Sequence, residues 1–181
     1  MGSIYDELWR RRRSHTQMEE KDSKEASVSS ERFHINELSF IRPAELKDKT
    51  LHMLTLNENG PSPFTFVISR SALSLEDSID IVAARIISEY EKVMVAPTLL
   101  EPLQPCIIAG ADARQMMYRW RQHGVLLTQR HYLMVANDEY EQRRLLQFTA
   151  TSNSPSGFSY DDMQMMEALI GSVKLRYEDS L

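Results

Sequence analysis

The 181-residue chain has few of the residues that usually announce a chemistry. It holds one cysteine, Cys106, so no disulfide can form within it. Cys106 sits in an apolar run with Ile107 and Ile108, which points to a buried, inert thiol. Glycine occurs six times and no phosphate-cradling loop can be built from those positions. None of the five histidines stands at metal-ligand spacing from a cysteine or a second histidine. No serine or cysteine carries the local signature of an activated nucleophile. Basic charge is not in excess: the formal charge is −5, which argues against a nucleic-acid binder that works by displacing counterions. No uncharged apolar run approaches the ~20 residues that span a bilayer, and no apolar h-region opens the chain. These absences lead us to expect a cytoplasmic protein that needs no cofactor, does not insert stably in membranes and is not an enzyme.

What the chain does have is methionine, ten of them, and a hydrophobic content of 42%. That content suffices for a core, and methionine recurs at surfaces that accept varied apolar partners. Residues 1–31 are dense in charges of both signs and poor in apolar residues after Trp9, which reads as a flexible arm. The Trp9–Arg13 run within it is a basic cluster flanked by acidic residues, more consistent with a solvated tail than with a docking site. Residues 32–181 read as one folded domain.

Strand patterns open that domain. Phe33–Asn36 and Leu38–Ile41 form a hairpin across Asn36–Glu37; Thr50–Leu56 and Phe64–Arg70 form another across the turn-rich Asn57–Pro63. From Ser74 to Met94 the apolar period switches to that of a helix, with Ser74 as cap and Glu76 and Asp77 at its positive end. Its apolar arc is wider than one stripe, enough to touch two surfaces. An extended stretch punctuated by Pro97, Pro102 and Pro105 leads to a strand near Ile107, a hairpin turning at Gly124, and a strand from Arg143 to Thr151. Ser159 caps a last helix running to about Leu175, with Met163, Met166, Ile170 and Val173 turned inward, and Asp161–Asp162 at its acidic start. The sum is an α+β fold: a curved antiparallel sheet with two main helices on one side.

The hairpin Met116–Val135 has no cleanly wet face. Alternation places Leu54, Leu56, Phe64, Phe66 and Ile68 in the core and turns Leu51, Met53, Thr65 and Val67 the other way. If Tyr118 and Trp120 are core, then Leu127, Gln129, His131 and Leu133 are left to look outward with Leu51, Met53, Thr65 and Val67. Arg119, Arg121, Arg130, Arg143 and Arg144 form either a basic strip or a set of cross-strand pairs.

The block Thr65–Arg70 followed by an amphipathic helix, and the later Tyr118-Arg-Trp120, Gly124 and Gln129-Arg130, resemble the DcrB-like domain. Within that group the chain is most similar to the Eag chaperones of type VI secretion systems, over about Phe33 to Val173. The resemblance implies a homodimeric cytoplasmic chaperone. Its partner would be the N-terminal transmembrane region of a PAAR-containing effector, held until loading on the secretion spike. It implies no cofactor and no catalysis, and the acidic balance already leads us to expect no nucleic-acid partner. The groove for the client helix would then be lined by Leu51, Met53, Thr65, Val67, Leu127, Gln129, His131 and Leu133, with Ile86 and Tyr90 of the first helix as one wall. Thr55 and Ser69 would add polar groups to it. The competing reading is a small-ligand or enzymatic domain with a pocket between sheet and helix.

Overall fold

A computed structural model of the chain describes residues 32–34, 38–41, 43, 51–138 and 141–176. The expected arm, residues 1–31 with Trp9–Arg13, and the Asn36–Glu37 turn lie outside them. The chain divides into two units, Met1–Asp48 and Lys49–Leu181.

The first unit contains one antiparallel hairpin, β1 (Arg32–His34) and β2 (Ser39–Ile41), in which Phe33 stands opposite Phe40. The second contains β3 (Leu51–Thr55), β4 (Phe64–Ala72), α1 (Ile79–Val93), β5 (Val95–Ile108), β6 (Ala111–Gln122), β7 (Val125–Asn137), β8 (Arg143–Ser152) and α2 (Tyr160–Gly171). Its six strands make an open sheet in the order β3-β4-β8-β7-β6-β5, antiparallel at every step. The α+β class and the antiparallel sheet are as the sequence suggests.

The helices are not on one side. Alternation along a strand sorts side chains by face, and the two buried clusters separate by that parity. Phe64, Phe66, Tyr132, Met134, Phe148 and Ala150 pack on Met166 of α2. Met116, Tyr118, Leu133 and Leu145 pack on Val82 and Ala83 of α1. Tyr132 and Leu133 are neighbours on β7 yet belong to different clusters. Each helix therefore covers its own face of the sheet.

Three local expectations also change. The α1 cap is Ser78, whose hydroxyl accepts from Ile81 N at 3.3 Å, and not Ser74. Ser74 to Asp77 form a turn instead: Asp77 N donates to the Ser74 carbonyl, and the Arg143 guanidinium donates to the carbonyls of Ser74, Leu75 and Asp77, which holds this stretch outside the helix. The proline-marked stretch is β5 itself, with three shifts of register against β6. Prolines and irregular pairing are tolerated there because β5 is an edge. The last helix ends at Gly171, and Val173 and Leu175 reach the core from beyond it. Its start is as expected: Ser159 and Asp162 form a reciprocal capping box, with Asp161 beside them in the first turn.

The β6–β7 turn settles the parity of the central hairpin. His123 (φ 49°) and Gly124 (φ 83°) both take left-handed conformations, as a two-residue primed turn requires. That turn pairs Gln122 with Val125, and hence Trp120 with Leu127 and Tyr118 with Gln129. Paired residues share a face, so Tyr118 and Trp120 lie on the same side as Leu127, Gln129, His131 and Leu133, the α1 side. They are not on the α2 side that buries Phe64 and Phe66. Leu54 and Leu56, expected in the core, are 48% and 50% exposed, because α2 does not reach that far across the sheet.

Gly157 closes the loop before α2 under tight constraint. Its φ is +88°, and an added Cβ would stand 3.0 Å from Arg119 Nη2 and 3.3 Å from Thr128 Oγ1. Gly110 has a similar φ of +77° but nothing within 4 Å of a Cβ. Gly110→Ala should therefore cost about 1 kcal/mol in urea unfolding from backbone strain alone. Gly157→Ala should cost about 1 kcal/mol more, from the added crowding. Equal losses for the two variants would show that the Arg119 contact is slack.

Candidate binding face

On the α1 side the register lines up one residue from each strand. Met53, Val67, Thr149, His131 and Met116 form one row across β3, β4, β8, β7 and β6. Thr55, Thr65, Thr151, Gln129 and Tyr118 form the next, and Leu51, Ser69, Gln147, Leu133 and Arg114 the one on the other side. The eight sheet residues expected at a groove, Leu51, Met53, Thr65, Val67, Leu127, Gln129, His131 and Leu133, all fall on this face.

They do not share one environment. α1 lies over the β6–β7 part of the face, so Leu133 is fully buried and His131 is 2% exposed. Ile86 and Tyr90 pack into the same cluster and form the flank of the covered part. Toward β3 the face opens: Thr65, Val67 and Gln129 are half-buried, and Leu51 and Met53 are 54% and 59% exposed. Leu127 is half-buried at the turn end, beside Trp120. Gln147, Thr149, Thr151 and Trp120 belong to this surface too and were not anticipated. The signal for the first three was present in β8, where Gln147, Thr149 and Thr151 alternate with Leu146, Phe148 and Ala150.

Polar groups here are largely bonded to each other. Trp120 Nε1 donates to Gln129 Oε1 at 2.8 Å, and Gln129 Nε2 donates to Thr151 Oγ1 at 3.0 Å. Thr149 Oγ1 and the Tyr90 hydroxyl approach His131 Nδ1 at 3.2 and 3.4 Å, and Gln147 Nε2 donates to the Tyr90 hydroxyl. The Tyr90 ring lies 4.9 Å from the imidazole, and Tyr118 meets both rings edge-on. His131 Nε2 is buried with no partner. Burial therefore disfavours the charged ring and lowers its pKa to about 4. The same burial raises the Tyr90 hydroxyl. The seam between the covered and open parts is thus neutral at physiological pH.

The arginines do not form a strip. Arg130 is paired with Glu101 and Arg144 with Asp138, Arg119 donates to Thr128, Arg121 to the Gly124 carbonyl, and Arg143 to the carbonyls before α1. The Cys106 thiol is half-buried and its pKa is raised by burial, which keeps it protonated. Among the described residues, no group of three or more His, Cys, Asp and Glu side chains is placed to hold a metal ion, and no helix is long and apolar enough to cross a membrane.

The DcrB family matches residues 37–172, which take in the whole sheet, both helices and the binding face. The chain belongs to the DcrB family. Among solved structures, this DcrB-family chain is similar to a protein of unknown function from Pseudomonas aeruginosa, PA94, described as a putative regulator. The TM-score is 0.62 and the identity 21%, over 82% of this chain and 98% of that one. It is also similar to LpqN of Mycobacterium tuberculosis, described as involved in cell envelope biogenesis, with a TM-score of 0.48 and 19% identity over 66% and 65% of the two chains. At such identities the likeness is one of fold. No curated protein matches the chain.

The buried neutral imidazole makes stability depend on pH. The unfolded ring takes a proton near pH 6.5 and the folded ring only near 4, so the unfolded state binds more protons between these values. Stability is then full above pH 6.5 and is lost as pH falls toward 4. The difference of 2.5 pH units corresponds to a loss on the order of 3 kcal/mol. His131→Phe should remove this component. The gap between the urea midpoints of the two proteins should change between pH 7 and 4, and a constant gap across that range would mean that the folded ring takes up its proton as readily as the unfolded one.

Proposed function

We propose that this DcrB-family chain is a cytoplasmic, non-enzymatic chaperone that shelters apolar, membrane-seeking helices. By its resemblance to the Eag group, its clients are the N-terminal transmembrane helices of a PAAR-containing type VI effector. The observation that carries the reading is the open part of the α1 face. Leu51 and Met53 are exposed there and Val67 is half-buried, beyond the reach of the two helices of the described residues and next to a strip of threonines and glutamine.

The physics favours such a surface. A membrane helix carries about 20 apolar residues, and each Leu-sized side chain left in water costs on the order of 1.5–3 kcal/mol relative to burial. A wholly apolar shelf would make the empty chaperone aggregate. Interleaved Thr65, Thr149, Thr151 and Gln129 limit that hazard. Their hydroxyls and amide also offer partners to Ser, Thr or exposed carbonyls on a client helix, which an apolar wall cannot. Tyr90 and Ile86 on the flank of α1 give the shelf a wall.

Co-expression with the N-terminal region of a PAAR-containing effector encoded beside the chain should give a soluble complex. Met53→Asp and Leu51→Asp change exposed side chains, so folding should shift by less than about 0.5 kcal/mol. Recovery of the client should nevertheless fall several-fold. Leu75→Asp, at an 84% exposed position before α1, should leave recovery unchanged. An effector region that is equally soluble alone and never co-purifies would defeat the reading.

A further inference from the structure

The two edges of the sheet are built differently. β5 carries Pro97, Pro102 and Pro105 and three shifts of register against β6. A proline removes a ladder donor and a bulge twists the edge away, so such an edge resists further pairing. β3 has none of these devices. Its sequence, Leu-His-Met-Leu-Thr, holds no proline, lysine, arginine or carboxylate, its register with β4 is unbroken from Leu51 to Thr55, and all five residues are exposed. Successive residues of an antiparallel strand turn their N–H and C=O to opposite sides. Two or three residues of β3 therefore direct both groups away from β4, and among the described residues no strand meets them.

We propose that β3 is a strand-addition site, and that it takes an extended, uncharged segment directly flanking a helix held on the α1 face. This rests on the helix-sheltering reading above. The length of β3 selects this occupant over a second copy of the chain. Five residues span about 17 Å, so the edge buries far less than the roughly 1,200 Å² of a stable interface. A segment tethered to a helix already on the shelf needs no such area, because tethering makes the second contact intramolecular, at an effective concentration near millimolar. β3 borders the shelf: Leu51 and Met53 stand on its open side, while His52 and Leu54 point to the opposite face. An incoming strand thus meets apolar neighbours on both faces, which favours alternating apolar and hydroxyl residues and disfavours charge.

The test uses the full chain and two fluorescent peptides. Each carries a helix of about 20 Leu, Ala and Ser residues with a lysine tag, followed by a Val-Thr alternating flank or by the same flank with prolines at alternate positions. Anisotropy should show the proline flank binding roughly tenfold more weakly, the sum of a few backbone hydrogen bonds less the ordering of the flank. On the protein side, His52→Pro and Met53→Pro differ in which ladder they interrupt. One removes a bond to β4 and melts earlier. The other removes only an outward N–H, keeps the wild-type melting temperature, and should abolish the advantage of the Val-Thr flank. In hydrogen exchange, the outward β3 amides should exchange freely in the isolated chain and become protected with the Val-Thr peptide. Equal affinity of the two peptides overturns the strand-addition site while helix sheltering stands. Binding of neither peptide overturns both. Outward amides already protected without peptide place another occupant on the edge and overturn the proposal: a second copy if protection rises with concentration, the chain's own residues if it does not.

Discussion

A six-stranded sheet has two faces to cover, and among the described residues two short helices do it. α1 has 15 residues and α2 has 12, or about 22 Å and 18 Å of helix. The central strands run to 13 residues, about 43 Å. Placing one helix on each side gives both faces a buried centre but completes neither. The rest of the structure follows from that shortfall. Wherever the helices do not reach, the sheet must carry polar residues, or offer its apolar residues to something else.

On the α1 face both solutions occur side by side. Under the helix the rows are sealed: Leu133, Met116 and Tyr118 are core. Away from it the same rows become threonine, glutamine and serine on β4, β7 and β8, and then Leu51 and Met53 at the margin. The transition runs through His131, whose buried ring is neutral and whose Nδ1 lies within reach of Tyr90 and Thr149. A charged group at that seam would draw water under α1 or require a buried counter-charge. A neutral, mutually bonded cluster lets the helix end there without exposing its underside.

The α2 face meets the same shortage with ion pairing. Arg130 on β7 reaches across Met117 to Glu101 on the irregular edge strand β5. Partly buried charges of this kind hold position chiefly because leaving one unpaired is costly. That contact ties down an edge whose backbone pairing is interrupted three times. The α1 face has an ion pair of its own, Arg114 with Asp80 of α1, and Leu54 on the α2 side is exposed as Leu51 is, so what sets the α1 face apart is the strip of hydroxyl and amide side chains across β4, β8 and β7.

Much of this was legible in the residues. Period-two runs marked the strands, Ser159 with Asp162 marked a helix start, and the alternation of Phe64-Thr-Phe-Val assigned β4 to two faces without any partner strand. These signals are local, carried by the backbone's own periodicity and hydrogen-bonding needs. What they could not decide was relation. Whether Tyr118 shares a face with Leu127 depends on a turn of two residues rather than three. Ser74 to Asp77, read as the start of α1, form a turn bonded to Arg143, nearly seventy positions away. Which side each helix takes depends on how the chain crosses the sheet, and so does the fate of Leu133, sealed, against Met53, open. Sequence alone determined which residues are apolar and at what spacing, because spacing is a property of the chain. Tertiary structure alone decided which of them see water, because burial belongs to the pair of surfaces that meet and not to either one.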